Sequence, residues 1–137
     1  LNFDAPRELT LMNNFFPGLC CGVIVFQTAI VAPVLTTALT GDVFGSVVRT
    51  IWPRFFLTLA IASCCSLLAE ILSNGTSNVR FTVLVLTIIL PSICYGLIPA
   101  TNAATDTGRE RQFKVLHTTS ILLTIFSLLL NVVCIWL

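Results

Sequence analysis

The chain has 137 residues, of which 56% are hydrophobic and only 9% charged, with a formal net charge of +1. A soluble domain carries about 25% charged residues, so a composition this apolar, with a mean hydropathy of +0.99, belongs in a bilayer. The near-neutral charge and the lack of an arginine-aromatic surface motif exclude nucleic acid as a partner. The length accommodates a single domain over residues 1–137.

Residues 1–13 carry Asp4, Pro6, Arg7 and Glu8 and read as a short polar lead with a turn at the interface. A first residue of Leu1 fits either the mature remainder of a processed precursor or part of a longer chain. Phe15 to Leu39 then exceeds the roughly 20 apolar residues that a span requires. Pro17 suits its first turn. Gly18, Gly22, Ala29, Ala32 and Thr36 fall on one face and open with G-x-x-x-G, a spacing that lets helices approach closely. Gln27 lies at mid-depth and is expected to face a neighbouring helix, and Pro33 is expected to kink the span.

From Gly41 to Trp52 the pattern changes. Phe44, Val47, Val48 and Ile51 line one side, with Asp42, Ser46 and Arg49 opposite. This pattern predicts a short amphipathic helix on the membrane surface, ended or sharply turned by Pro53.

Arg54 to Ser73 is the second span, with Arg54 at the headgroups and Trp52 in the aromatic belt. Ser63, Ser66, Glu70 and Ser73 recur at helical spacing as a polar stripe. Glu70 is the one acid embedded in a span, which makes it a candidate intramembrane functional acid. The alternative is an ion pair with Arg80 across the short turn. Asn74-Gly75 starts that turn, and Asn74-Gly75-Thr76 matches a glycosylation pattern too close to the membrane to be used.

Phe81 to Ile98 is the third span, about 27 Å long at 1.5 Å per residue, with Pro91 expected to bend it and Tyr95 near its exit. Pro99 to Gln112 is the one long polar connection and is expected to extend the helices on either side. Phe113 to Leu137 is the fourth span. His117, Ser120, Thr124, Ser127, Asn131 and Cys134 alternate at steps of three and four, a polar stripe that reads as the seam joining this helix to the others.

The fold expected is therefore an all-α membrane protein, four transmembrane helices in an antiparallel bundle with the interfacial helix before the second span. Arg49, Arg54, Arg109, Arg111 and Lys114 fall on the side of the 1–2 and 3–4 connections, against Arg7 and Arg80 on the other. The positive-inside rule puts the 3–4 loop in the cytoplasm, or in the matrix or stroma of an organelle, with both termini opposite. An organelle inner membrane, mitochondrial or plastid, or a bacterial inner membrane fits this reading.

The six cysteines all lie in apolar runs without C-x-x-C spacing and read as small hydrophobes; a Cys20–Cys134 disulfide is the alternative. One histidine rules out a bis-histidine haem within the chain, and a closed zinc site lacks ligands. No G-x-S-x-G, H-E-x-x-H, P-loop or dinucleotide fingerprint occurs, so no catalytic, cofactor or metal residue is expected and bound lipid is the one ligand class anticipated. Arg54, Tyr95, Asn102, Arg111 and His117 are expected near one interface, where they would contact an anionic headgroup or a partner's carboxylate. For His117 a packing role at the end of the seam is the alternative.

Phe44-Gly45, the run Trp52-Pro53-Arg54-Phe55-Phe56 and Phe113-x-x-x-His117-x-x-Ser120 together resemble the transmembrane protein 205-like family, a group of four-helix membrane proteins built on a domain of unknown function. The likeness spans nearly the whole chain in order and spacing. Trp52 replaces that family's usual Phe and Phe55 its usual Tyr, so a polar role at the second position is not carried over. The resemblance implies a fold and no agreed activity.

The functional expectation is a non-enzymatic structural or accessory subunit, packed against other transmembrane subunits of a larger complex. Small and hydroxyl seams exceed what one four-helix core needs. The alternative is a small-molecule or lipid-handling membrane protein working through Glu70 or the His117 region.

Overall fold

In hydrocarbon no water satisfies backbone N–H and C=O groups, so apolar runs of this length hydrogen-bond to themselves as helices. The computed structural model of the protein describes residues 5–75 and 77–137. In chain order it comprises α1 (Ala5–Phe26), a π-helical turn (Gln27–Val31), α2 (Ala32–Ala38), α3 (Gly41–Leu72), α4 (Asn78–Asp106) and α5 (Glu110–Trp136). Four stretches are long and apolar enough to cross a membrane: Asn13–Ala38, Gly41–Leu72, Asn78–Asp106 and Glu110–Trp136. Asp4, the side chains of Arg7 and Glu8, and Thr76 of the glycosylation pattern lie outside the described residues.

The packing is cyclic: α1 lies against α3 and α5, and α4 against α3 and α5. Short links make every neighbouring pair antiparallel. One core cluster gathers Cys20, Ile24, Phe55, Phe56, Leu59, Ala62 and Cys94, with the half-buried Trp52 packed against it. Trp52 and Phe56 stack there with ring centroids 5.9 Å apart. A second cluster, Val83, Leu84 and Cys134, lies nearer the termini end with Leu67 and Leu130.

Several expectations change in the folded chain. The lead is not a turn, because residues 5–13 continue the first helix outward. Gly41–Trp52 is not a separate interfacial helix; it is the first part of the 32-residue α3, which runs through Pro53. Its sidedness holds, with Phe44, Val47, Val48 and Ile51 half-buried and Asp42, Ser46 and Arg49 exposed. Pro53 lacks the N–H that would bond the Arg49 carbonyl four residues back, and α3 runs on without that bond, as membrane helices can. Here Arg54 Nη1 donates to the carbonyl of Thr50 at 2.7 Å, while Trp52, Phe55 and Phe56 pack across the same turn. Helix α4 likewise continues through Pro91 and Pro99.

At Pro33 the strain of a missing donor is taken up one turn earlier. The backbone widens to π-helix over Gln27–Val31, with the Ala32 N–H donating to the Gln27 carbonyl, and Pro33 falls in the first turn of α2.

The small-residue face of the first span is not its face inside the bundle. Pro17, Cys20, Ile24 and Gln27 are buried instead, and a Cβ at Gly18 or Gly22 would meet nothing within 4 Å. A helix chooses its inward face by how much surface the side chains bury, and glycines bury little. Only 17% of the most apolar stretch of this span is buried, against 39% for α3. Among the described residues, the π-turn and α2 have no more than marginal contact with α3, α4 and α5.

The α5 seam is real but begins one turn late. Ser120 is half-buried and Thr124, Ser127, Asn131 and Cys134 are buried, whereas His117 is exposed. The side chains of Ser120, Thr124 and Asn131 bond to carbonyls of their own helix, while the Ser120 and Cys134 carbonyls accept from Cys94 and Arg80 on α4. Ser120 donates to the carbonyl of Leu116, Thr124 to that of Ser120 at 2.7 Å, and Asn131 to that of Ser127 at 2.8 Å. A hydroxyl or amide folded onto its own helix meets the need of a buried polar group for a partner. All six cysteines are free. Cys20 faces the Ser63 hydroxyl and Cys134 lies beside Arg80, so the disulfide alternative fails on placement. Cys64 is exposed rather than buried.

Candidate functional site

The most constructed polar site grows out of the turn between α3 and α4. Helix α3 ends with Asn74 in the left-handed conformation at φ 54°, a region that asparagine enters more readily than most residues. The Asn74 N–H donates to the Ile71 carbonyl and the Gly75 N–H to the Glu70 carbonyl, both at 3.1 Å. This paired pattern caps orphan carbonyls at a helix end. The chain then enters α4 at Ser77, whose hydroxyl accepts from the Arg80 N–H at 3.2 Å as an N-cap. The two caps bring Glu70, from the last turn of α3, face to face with Arg80 in the first turn of α4.

Arg80 is 7% exposed and Glu70 5%. Arg80 Nε lies 2.8 Å from Glu70 Oε2, with the N–H directed off the oxygen, so the contact is Coulombic rather than an aligned hydrogen bond. The rest of the guanidinium fork is occupied. Nη1 donates to the Cys134 carbonyl on α5 at 2.8 Å, and Nη2 to the Asn13 carbonyl at 2.9 Å and Asn14 Oδ1 at 3.1 Å, both on α1. A planar guanidinium with five donors is suited to such divergent acceptors. One side chain on α4 therefore touches all three other helices of the ring. Asn13 Nδ2 also donates to Ser73 Oγ at 2.9 Å, joining α1 to the end of α3.

Gly75 completes the arrangement. A Cβ there would collide with Glu70 Oε1 and Cδ, so the carboxylate occupies the space that the missing side chain leaves. Beside the pair an open cleft of about 290 Å³ is lined by Asn13, Asn14, Glu70, Ser77, Arg80 and the end of α5. The cleft can admit a small polar molecule, and its acid is matched by a cation. Among the described residues no three His, Cys, Asp or Glu side chains come together.

The five residues expected at the opposite end are arranged otherwise. Arg54, Tyr95, Arg111 and His117 are exposed and Asn102 is half-buried. Arg54 bonds to its own helix, and the His117 imidazole stacks on Phe113 with centroids 5.4 Å apart and planes 8° from parallel. Among the described residues no hydrogen bond or ion pair joins any two of the five. The polar tie at this end is the exposed Arg49–Asp106 pair between α3 and α4. Here α4 closes on Gly108 at φ 66°, where glycine carries no steric penalty. Its following N–H groups cap the carbonyls of Thr105 and Ala104.

Residues 15–112 match the family described as "Domain of unknown function (DUF4149)". The chain belongs to that family. The match takes in Glu70, Gly75 and Arg80 and ends one residue before the Phe113-x-x-x-His117-x-x-Ser120 run. No curated protein and no solved structure matches the chain.

Of the polar cluster, Glu70 and Arg80 are conspicuous in the sequence as an acid and a base astride a tight turn. Asn13 and Asn14 are not, and Gly75 reads there only as part of the turn. The usable signal was depth, because two asparagines just before a span fall at the same membrane level as the 74–77 turn. The Cys134 carbonyl leaves no side-chain signature at all.

Proposed function

We infer that the protein is a non-enzymatic, multi-pass membrane protein that acts as an accessory subunit, docking through the outward face of its first span onto another transmembrane subunit. The observation that carries this reading is the state of that span. On its small-residue face Gly22, Ala29 and Thr36 are exposed and Gly18 and Ala32 half-buried, and among the described residues its second half hardly touches the rest of the bundle. In lipid there is no hydrophobic force between helices, so close approach over small residues is what makes an association tight. The expected orientation has the α4–α5 connection in the cytoplasm, matrix or stroma and the Arg80 end opposite, on the count of five basic residues against two. Kinship with the transmembrane protein 205-like group is part of the same reading and rests on the aromatic-proline-aromatic run at 52–56 and the 113–120 motif.

Extraction in a mild detergent followed by native mass measurement tests the proposal. Co-migration with a second membrane subunit is the expected result, and a monodisperse, partner-free chain sinks it. Gly22→Ile sharpens the test: nothing inside the chain opposes the added bulk, so the melting temperature is expected to stay within about 2 °C while the complex dissociates.

A second reading is favoured by the cleft beside Glu70 and Arg80. There the chain would bind a small polar molecule or a lipid headgroup, and Glu70→Gln would abolish binding in a protein that still folds. If that substitution lowers only thermal stability, the pair is structural and the second reading falls.

A further inference from the structure

We propose that the start of α5 is a binding surface for one anionic phospholipid, with Arg111 and Lys114 on the phosphate and the outer ridge of α5 along the acyl chains. The cations of this chain are otherwise engaged where the structure describes them. Arg80 is buried, ion-paired with Glu70 and bonded to α1 and α5, Arg49 is paired with Asp106, Arg54 bonds to the Thr50 carbonyl, and Arg109 Nε donates to Thr107 Oγ1 at 2.7 Å. Arg111 and Lys114 are exposed and, among the described residues, have neither an ion-pair nor a hydrogen-bond partner. They lie three residues apart and so share a helix face.

That same face continues as an apolar ridge. Val115, Leu122, Ile125 and Leu129 follow at steps of seven, three and four, and they are 60%, 60%, 50% and 54% exposed. The buried seam of Thr124, Ser127, Asn131 and Cys134 faces the opposite way, into the bundle. From Val115 to Leu129 the ridge rises about 21 Å, enough to cover the ~15 Å depth of one leaflet's hydrocarbon. A positive head above one leaflet's length of exposed apolar surface is complementary to a lipid that carries a phosphate and two chains. An acidic soluble segment would match the cations and leave the ridge unused, so the lipid accounts for more of the surface.

The experiment uses the full chain in mild detergent, titrated with phosphatidylglycerol or phosphatidylcholine of identical acyl chains and read by native mass spectrometry. A one-to-one phosphatidylglycerol adduct is expected to outcompete the phosphatidylcholine adduct and to weaken with added salt. R111Q and K114Q each lower that preference by about fivefold, whereas E110Q, which removes the acid from the same turn, raises it. Equal retention of the two lipids overturns the proposal, as does a preference unmoved by all three substitutions. Tighter binding of a poly-glutamate peptide than of phosphatidylglycerol, abolished by R111Q, also overturns it and assigns the patch to an acidic protein partner. These residues point outward, so the melting temperature of each variant reports folding independently of lipid retention.

Discussion

The two ends of this bundle hold charge in opposite ways. At the Arg80 end a buried guanidinium is surrounded by a carboxylate, two backbone carbonyls and an amide oxygen, and it reaches three other helices. At the Arg111 end, the cations are spread over exposed turns, and the ion pair there, between Arg49 and Asp106, is itself exposed. A buried charge is tolerable only with a full set of partners, so the first end is rigid by necessity. An exposed charge is already solvated and contributes little to the fold, which leaves the second end available for binding. The difference teaches that charge count alone does not mark the structural end of a membrane protein; burial and the number of partners do.

The sharpest way to break the comparison is to remove one member of the buried pair. Arg80→Met and Glu70→Gln are each expected to destabilise by about 3 kcal/mol or more, because each leaves an uncompensated buried group. The double replacement is expected to cost clearly less than the sum, with a coupling of roughly 1–3 kcal/mol. A thiol-reactive dye reporting exposure of Cys20 and Cys134 on heating in detergent measures all three. Strict additivity would mean that the carbonyl and amide bonds of Arg80, and not Glu70, hold the helices.

Next in size is Gly75→Ala. Its Cβ has to displace a carboxylate that Arg80 holds in place, and overpacking of this kind costs about 1–3 kcal/mol. In the Glu70→Gln background the cost is expected to shrink, since the amide is no longer held by charge. A cost unchanged in that background would show that the turn backbone, not the acid, requires glycine.

Smallest is His117→Ala at the other end. The ring is exposed and contacts Phe113 from the same helix, so the change in unfolding free energy is expected to stay within about 0.5 kcal/mol. A loss above 1 kcal/mol would show that the histidine belongs to the seam after all, and that the two ends differ less than their burial indicates.

How much of this was legible beforehand depended on which physical signal each feature rests on. The spans and their number were readable from hydropathy and length, and the seam of Thr124, Ser127, Asn131 and Cys134 from helical periodicity. The pairing of Glu70 with Arg80 was open as one of two readings, since the turn between them is short. The break expected at Pro53 does not occur, because proline weighs less against a helix in a bilayer than in water. In a bilayer the helix is retained, with Trp52, Phe55 and Phe56 packed across the interrupted turn. The small-residue face left its partner open, because G-x-x-x-G marks where a helix can be approached, not which partner approaches it.

The sequence by itself determined that this chain is a four-span helical membrane protein, because apolar composition over runs of this length admits no other backbone in lipid. It also determined which side is richer in cations. Only the tertiary structure decided that Arg80 ties α1, α3 and α5 together, that His117 stands outside the seam, and that the glycine face of the first span is uncovered. Those outcomes depend on how each helix is rotated about its own axis. Rotation is set by the surface the whole bundle buries together, and no single helix carries that information.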